Sequence, residues 1–116
     1  MKNYTILNTN GKGRVELHDS LGLTGAEVSV NRLDANTNVP FVHSHKNNEE
    51  IYFILDGSGE FILDQEKVKL TKGDAVKVLP SVKRQLFAGN EGISYLCIQT
   101  KANSLQTFTQ TDAVIE

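Results

Sequence analysis

Two histidines, His43 and His45, stand two residues apart and a short way ahead of the adjacent carboxylates Glu49 and Glu50, all inside the stretch PFVHSHKNNEEIYFILDGSG from Pro40 to Gly59. In an extended strand, side chains two residues apart point to the same face, about 7 Å apart along the chain, so both imidazoles can grip one ion. Lys46-Asn47-Asn48 reads as a polar turn, and Ile51 to Leu55 as a β-rich strand that folds back and brings one carboxylate to the imidazoles. Two neutral nitrogens and one anionic oxygen make a usable site for a divalent transition metal. A lone His-x-His is more often a solvated strand edge; the carboxylate and the return strand are what favour a metal here.

These residues need a frame to hold them. Glycine- and polar-rich turns recur roughly every eight to twelve residues, and no convincing helix separates them, which predicts an all-β antiparallel sandwich or barrel. Short strands are expected within Met1–Thr9, over Val15–His18 and in GAEVSVNRL, Gly25 to Leu33, where Ala26, Val28 and Val30 alternate with Glu27, Ser29 and Asn31. Asp56-Gly57-Ser58-Gly59 reads as a tight hairpin turn and Gly89 to Gly92 as another, with strands at Glu60–Leu63, Lys67–Leu70, Ala75–Leu79, Arg84–Ala88 and Ile93–Gln99. In the tail, Asn103 to Gln106 can start a short helix and Thr111 to Ile115 an edge strand.

Parity along the strand after Glu50 has a further consequence. If Glu50 faces the histidines, Tyr52 and Ile54 face the same way, and Ile51, Phe53 and Leu55 form an apolar stripe on the other side. A strand apolar on both faces needs a cover on both, so a partner chain or the terminal segment is expected over this stripe, a homodimer ahead of the tail.

The 116 residues fit a single domain, with room for one hydrophobic core and none for a second catalytic domain. Twelve basic against fourteen acidic residues, with no basic cluster longer than two, give no electrostatic reason to bind nucleic acid or an anionic membrane. The single Cys97 cannot form an intrachain disulfide, and MKNYTILNTN lacks a charged segment followed by an apolar stretch, so a reducing cytoplasm is expected. No apolar run approaches the ~20 residues of a membrane span.

The spacing His43-x-His45, four residues, Glu50, six residues, Gly57 resembles the first motif of the cupin superfamily. It selects Glu50 over Glu49. Fifteen residues then separate Gly57 from Gly73, and Gly73-Asp-Ala-Val-Lys-Val-Leu-Pro80 resembles the opening of the second cupin motif. The resemblance covers Val39 to Gln99, about half of the chain, and implies a double-stranded β-helix, or jelly-roll barrel, with a metal inside it. The sequence departs from the pattern at Thr37 and Val82, where glycine is usual, and at Gln85, where a third histidine is expected.

Three readings of Gln85 stay open: it coordinates through its carbonyl oxygen, giving His43, His45, Glu50 and Gln85 around the metal; it hydrogen-bonds a metal-bound water; or the site has lost its metal. Iron, zinc, manganese and nickel all suit such donors. Parity adds Phe41, Ile54 and Phe87 as an apolar pocket wall and Tyr52 as a phenol able to serve as a catalytic hydrogen-bond or proton partner, beside the plain alternative of core packing. What the resemblance implies is a metal-dependent cupin acting on a small metabolite with dioxygenase- or isomerase-like chemistry; the alternative is a noncatalytic metal- or small-ligand-binding module.

Overall fold

A computed structural model describes residues 3–116, apart from the side chain at position 109. Among the described residues, six strands and two short helices follow one another as β1 (Arg14–Glu16), α1 (Leu17–Leu21), β2 (Glu27–Leu33), β3 (Asn48–Leu63), β4 (Glu66–Thr71), β5 (Ala75–Val78), β6 (Arg84–Lys101) and α2 (Thr109–Asp112). All strand pairing is antiparallel. The all-β expectation is met.

The architecture rests on β3 and β6, which run antiparallel against each other from Asn48↔Lys101 to Leu63↔Arg84. Each was expected to be two strands with a hairpin turn between, at Asp56–Gly59 and at Gly89–Gly92; each is one long bent strand. The bend falls where the register against the partner slips, between Ile54 and Asp56 and again between Gly57 and Gly59. There the backbones nearly touch: a Cβ on Gly57 would sit 2.1 Å from the Gly92 carbonyl oxygen, and one on Gly59 2.4 Å from that of Phe87. Gly57 also has φ +77°, the left-handed region that glycine occupies without penalty. The glycines are bends in a sheet and not loop tips, because hydrogen bonding continues across them.

Bent this way, β3 and β6 give one half to each of two layers. In the first, β2 pairs with β6 over Ile93–Gln99, and β5 pairs with β3 over Glu50–Phe53, with β1 beyond β2. In the second, β4 pairs with β3 over Ser58–Leu63, while Asn38 and His43 form isolated bridges to Phe87 and Arg84 of β6. Between the layers Ile54, Phe61, Leu70, Val78, Leu86 and Ile93 form one buried cluster.

Other expectations are corrected. The first nine residues carry no strand in their described part, and Tyr4, Ile6 and Leu7 are exposed; Met1 and Lys2 lie outside the described residues. Val15–His18 is a strand only to Glu16; the chain then turns into α1, which the Ser20 hydroxyl braces by donating to the Glu16 carbonyl and which Gly22 ends at φ +68°. In the tail, helix α2 begins at Thr109 instead of near Asn103, and residues 113–116 form no strand.

On β2 the predicted faces are reversed: Ser29 and Asn31 are buried, and Val28 and Val30 are only partly so. The polar side chains face into the fold because they face a cavity. Val28, paired to Ile98 across from Ile51, and Val30, paired to Leu96 across from Phe53, join the outward stripe expected from parity. Ile51, Phe53 and Leu55 are all exposed, as that stripe requires.

Candidate metal centre and its cavity

The segment before β3 is not a regular strand, but it is extended and held at two points. His43 exchanges both backbone hydrogen bonds with Arg84, at 3.1 and 2.9 Å, and the His45 amide donates to the Pro80 carbonyl at 2.8 Å. Both imidazoles therefore face the same side, with ring centroids 5.3 Å apart and planes nearly perpendicular. The return strand brings Glu50, 2 % exposed, to them. One donor atom each from His43, His45 and Glu50 lie within 4.8 Å of one another.

The bridge between His43 and Arg84 also settles which residue of β6 meets this cluster. Directly opposed residues on antiparallel strands put their side chains on the same face. Arg84, fully buried, is thus the neighbour of the histidines, and its Nη1 donates to Glu50 Oε1 at 2.6 Å. Its remaining donors go to backbone carbonyls: Nε to Val82, and Nη2 to Leu79, Pro80 and Val82 at 2.8–2.9 Å. Gln85 lies one residue further, opposite Ile62, and its Nε2 donates to the Val39 carbonyl at 2.8 Å. The position beside Glu50 that motif spacing suggested for Gln85 is taken by Arg84.

Glu50 is bonded on both oxygens. Oε1 accepts from Arg84 and from the Tyr52 hydroxyl at 2.8 Å; Oε2 accepts from the Cys97 thiol at 3.2 Å. His45 Nε2 lies 3.3 Å from Oε2, close enough for an ion pair but misaligned for a hydrogen bond, and it counts among buried nitrogens without a hydrogen-bond partner, as does His43 Nδ1. Burial pushes the Glu50 carboxyl up. The hydrogen bonds from Tyr52 and Cys97, the charge at His45 and the Arg84 bond outweigh it and hold the group below the usual carboxylate range. Burial lowers His43 despite the opposing pull of Glu50, so its ring is neutral near pH 7. Burial raises Tyr52 far above an ordinary phenol and pushes the Cys97 thiol up to about 12, so both keep their protons.

The residues fit a divalent metal ion. Two buried imidazole nitrogens lacking hydrogen bonds are costly unless something accepts their lone pairs or protons, and a carboxylate oxygen stands beside them. The fit is to Glu50 through a single oxygen, Oε2, since Oε1 already carries two hydrogen bonds.

A cavity of about 530 Å³ opens over this cluster, within the size range of small-molecule sites. Phe41 stands at its rim, 57 % exposed, with its ring edge-on to His43 at 5.6 Å. Tyr52 lines it from below and packs edge-on against Phe61 at 4.7 Å. Two of the expected wall residues lie elsewhere. Ile54 belongs to the solid core, wholly buried, and Phe87 lines a second depression with Ser58, Gly59 and Lys69. Phe87 shares the parity of Gln85 and not of Arg84, and its ring leaves the cavity; Gln85 still lines it beside Val39.

The sequence reading did not single out Arg84, Ser29, Asn31 or Cys97 as site residues. Cys97 pairs with Tyr52 across β3 and β6, and that pairing is what puts it on the inner face.

Comparison with known proteins agrees with this fold. The family model described as the cupin domain matches residues 30–99. The crystal structure of a cupin protein (BF4112) from Bacteroides fragilis is 54 % identical and superposes with a TM-score of 0.95, over 100 % of this chain and 99 % of that one. An uncharacterized protein, MJ1618, of Methanocaldococcus jannaschii is 39 % identical over 57 residues, which are 48 % of this chain and 46 % of that protein, so the match spans less than half of that relative's length. KdgF from Halomonas sp., 17 % identical over 78 % of this chain and 79 % of its own, has a TM-score of 0.66 and shares the fold. With β3 to β5, most of β6, its His-x-His and its inward glutamate all in the matched region, this chain belongs to the cupin domain family.

Proposed function

We propose that the chain holds one divalent transition-metal ion at His43, His45 and Glu50 and uses the cavity above it to bind a small organic molecule. The observation that carries this is the pair of buried ring nitrogens, on His43 and His45, that lack hydrogen bonds beside a carboxylate held in its charged form. Such an ion would supply Lewis-acid or redox chemistry to an oxygen-bearing ligand. The protein's own groups position it. Arg84 and Tyr52 fix the Glu50 plane through Oε1, leaving Oε2 toward the imidazoles, and Phe41 restricts the approach from solvent.

Tyr52 serves this reading as a brace for Glu50. Its hydroxyl proton is committed to the carboxylate, and its raised pKa disfavours release at neutral pH. Cys97 is committed in the same way. That commitment favours a second reading, a noncatalytic binding module, over any mechanism that needs a general base from these residues. Dioxygenase- or isomerase-like turnover would draw its proton partner from the ligand or from solvent.

The test is elemental analysis of protein purified without added metal, then of protein refilled with iron(II), zinc, manganese(II) or nickel(II). About one equivalent, lost in His43→Ala and His45→Ala and kept in Gln85→Ala, is expected. Less than about a tenth of an equivalent after refilling, a threshold set by the one-site fit of the donor set, would remove the metal. Oxygen uptake by the iron(II) form with diols, catechols and keto acids then separates enzyme from binder.

A homodimer through the outer face of β2, β6 and β3 is part of the same proposal. Its support is the exposed row Ile51, Phe53 and Leu55, extended by Val28, Val30, Leu96 and Ile98. A monomeric mass in solution, unchanged by Phe53→Glu, would contradict it. Among the described residues no helix is long and apolar enough to cross a membrane.

A further inference from the structure

The metal reading uses one wall of the cavity and leaves the opposite wall without a purpose. On that wall β2 turns Ser29 and Asn31 inward, 3 % and 5 % exposed. Hydroxyl and amide groups this deeply buried cost free energy unless they are bonded, and a barrel stave has no packing reason to carry them. They form a directed chain that starts from a charge: Arg14 Nη1 donates to Asn31 Oδ1 at 2.5 Å, and Asn31 Nδ2 donates to Ser29 Oγ at 2.9 Å. The chain ends on the Ser29 hydroxyl proton, for which no acceptor stands among the described residues.

Charge around the cavity points the same way. The whole chain carries a net charge of -2, yet the charged residues lining this cavity are Arg14, Arg32 and Arg84 against Glu16 and Glu50. Arg84 and Glu50 neutralise each other, and Arg32 is engaged by the Ser94 hydroxyl and the Glu91 carbonyl. Arg14 is held by Asn31 inside the cavity and by Glu16 at 3.3–3.4 Å, and its side chain is 57 % exposed at the mouth, where a ligand can reach it. Before any metal is counted, the lining thus carries one more positive than negative charge, which favours an anionic ligand.

We propose that the ligand of this cavity is a small organic carboxylate, whose carboxylate group is met by the Arg14 guanidinium and the Ser29 hydroxyl, with Asn31 holding the two in register. The inference rests on the cavity being the ligand site but not on metal being bound. A planar guanidinium matches a carboxylate with two parallel donors, and a cavity of about 530 Å³ limits the rest of the molecule to a small body against Phe41 and Tyr52.

The test is calorimetry on the full chain, in chelator-treated and zinc-refilled forms, with pyruvate, lactate, 2-oxoglutarate and benzoate, the primary amide of each, and inorganic phosphate. At least one carboxylate is expected to bind about tenfold or more tighter than its amide, the size of a charge-assisted hydrogen-bond pair. Arg14→Gln should remove that preference, and Ser29→Ala should weaken it a few-fold, with zinc stoichiometry unchanged in both. Arg14 is exposed, so the glutamine variant is expected to fold, and its zinc content checks this independently. Equal binding of acids and amides, absence of binding by every acid, or a preference that survives Arg14→Gln overturns the proposal. Arg14-dependent binding of phosphate alone also overturns it, in favour of a phosphate ester. Loss of the metal centre would show instead as absent zinc uptake, with the acid-over-amide preference of the chelator-treated protein left standing.

Discussion

The same two strands, β3 and β6, build a solid end and a hollow end. Beyond the bend at Gly57, their inward residues Phe61 and Leu86 join Ile54 and Ile93 in a packed apolar cluster, and Phe61 and Leu86 form the surface of it that the cavity meets. Before it, the inward residues are Glu50, Tyr52, Tyr95 and Cys97, and opposite them Arg84 and His43. One end spends its buried area on packing, the other on polar groups whose hydrogen bonds must be satisfied one by one. The difference teaches that the floor can be read as a stability device and the hollow as a positioning device, each failing in its own way when mutated.

The largest effect is expected at the bend that joins the two ends. Gly57→Ala places a Cβ on the Gly92 carbonyl and forces a side chain into φ +77°, so both long strands must shift. A loss of about 3 kcal/mol or more in urea unfolding is expected, since strain and overpacking add here. In the floor itself, Ile54→Ala should cost ~2–5 kcal/mol by cavity formation without touching metal uptake. If Ile54→Ala abolished metal binding while the protein stayed folded, the separation of floor from site would be wrong.

At the hollow end, Arg84→Met leaves Glu50 buried against an uncharged neighbour. Breaking one partner of such a pair costs about 3–5 kcal/mol. The double variant Arg84→Met with Glu50→Gln should recover part of that, because the stranded charge is removed. A double variant no more stable than Arg84→Met alone would show that the three backbone carbonyls, and not Glu50, are what Arg84 holds together.

Acid should act on the hollow end first. His43 titrates below its unfolded value of 6.5, so between the two values the unfolded chain binds more protons and stability falls as pH drops from about 6.5. Glu50, also depressed, keeps its contribution above its unfolded value of 4.5 and loses it as pH falls through the folded value. Denaturant midpoints of the chelator-treated protein should therefore fall in two stages on acidification, and His43→Phe should remove the upper one.

Much of this was legible in the sequence and the remainder was hidden for physical reasons. His43, His45 and Glu50 were found because period-two parity and motif spacing are local. The outward stripe of Ile51, Phe53 and Leu55 followed from the same rule. Arg84 was missed because spacing along the chain placed Gln85 at the site, whereas the side that a residue faces is set by its cross-strand partner, and His43↔Arg84 is a pairing 41 positions apart in sequence. The alternation of β2 points Ser29 and Asn31 outward because apolar residues normally face a core; a cavity inverts that rule locally. Gly57 and Gly92 looked like turn residues, since a glycine that lets two backbones meet and one that ends a strand have the same letter.

The smallest effect is expected at the rim, and it sharpens the contrast most. Phe41 touches His43 edge-on, yet more than half of it is open to solvent, so it is supported by neither the floor nor the Glu50 network. Phe41→Ala should change stability by no more than about 0.5 kcal/mol, as for a surface substitution. Metal stoichiometry should also hold, because His43 is oriented by its backbone bridge to Arg84 and not by the phenyl ring. What should change is the dissociation rate of a bound small molecule, which loses the cover over its apolar part while its polar anchors stay in place. A stability loss comparable to that of Ile54→Ala would instead make Phe41 part of the floor, and the hollow end would then have no open rim through which a ligand enters.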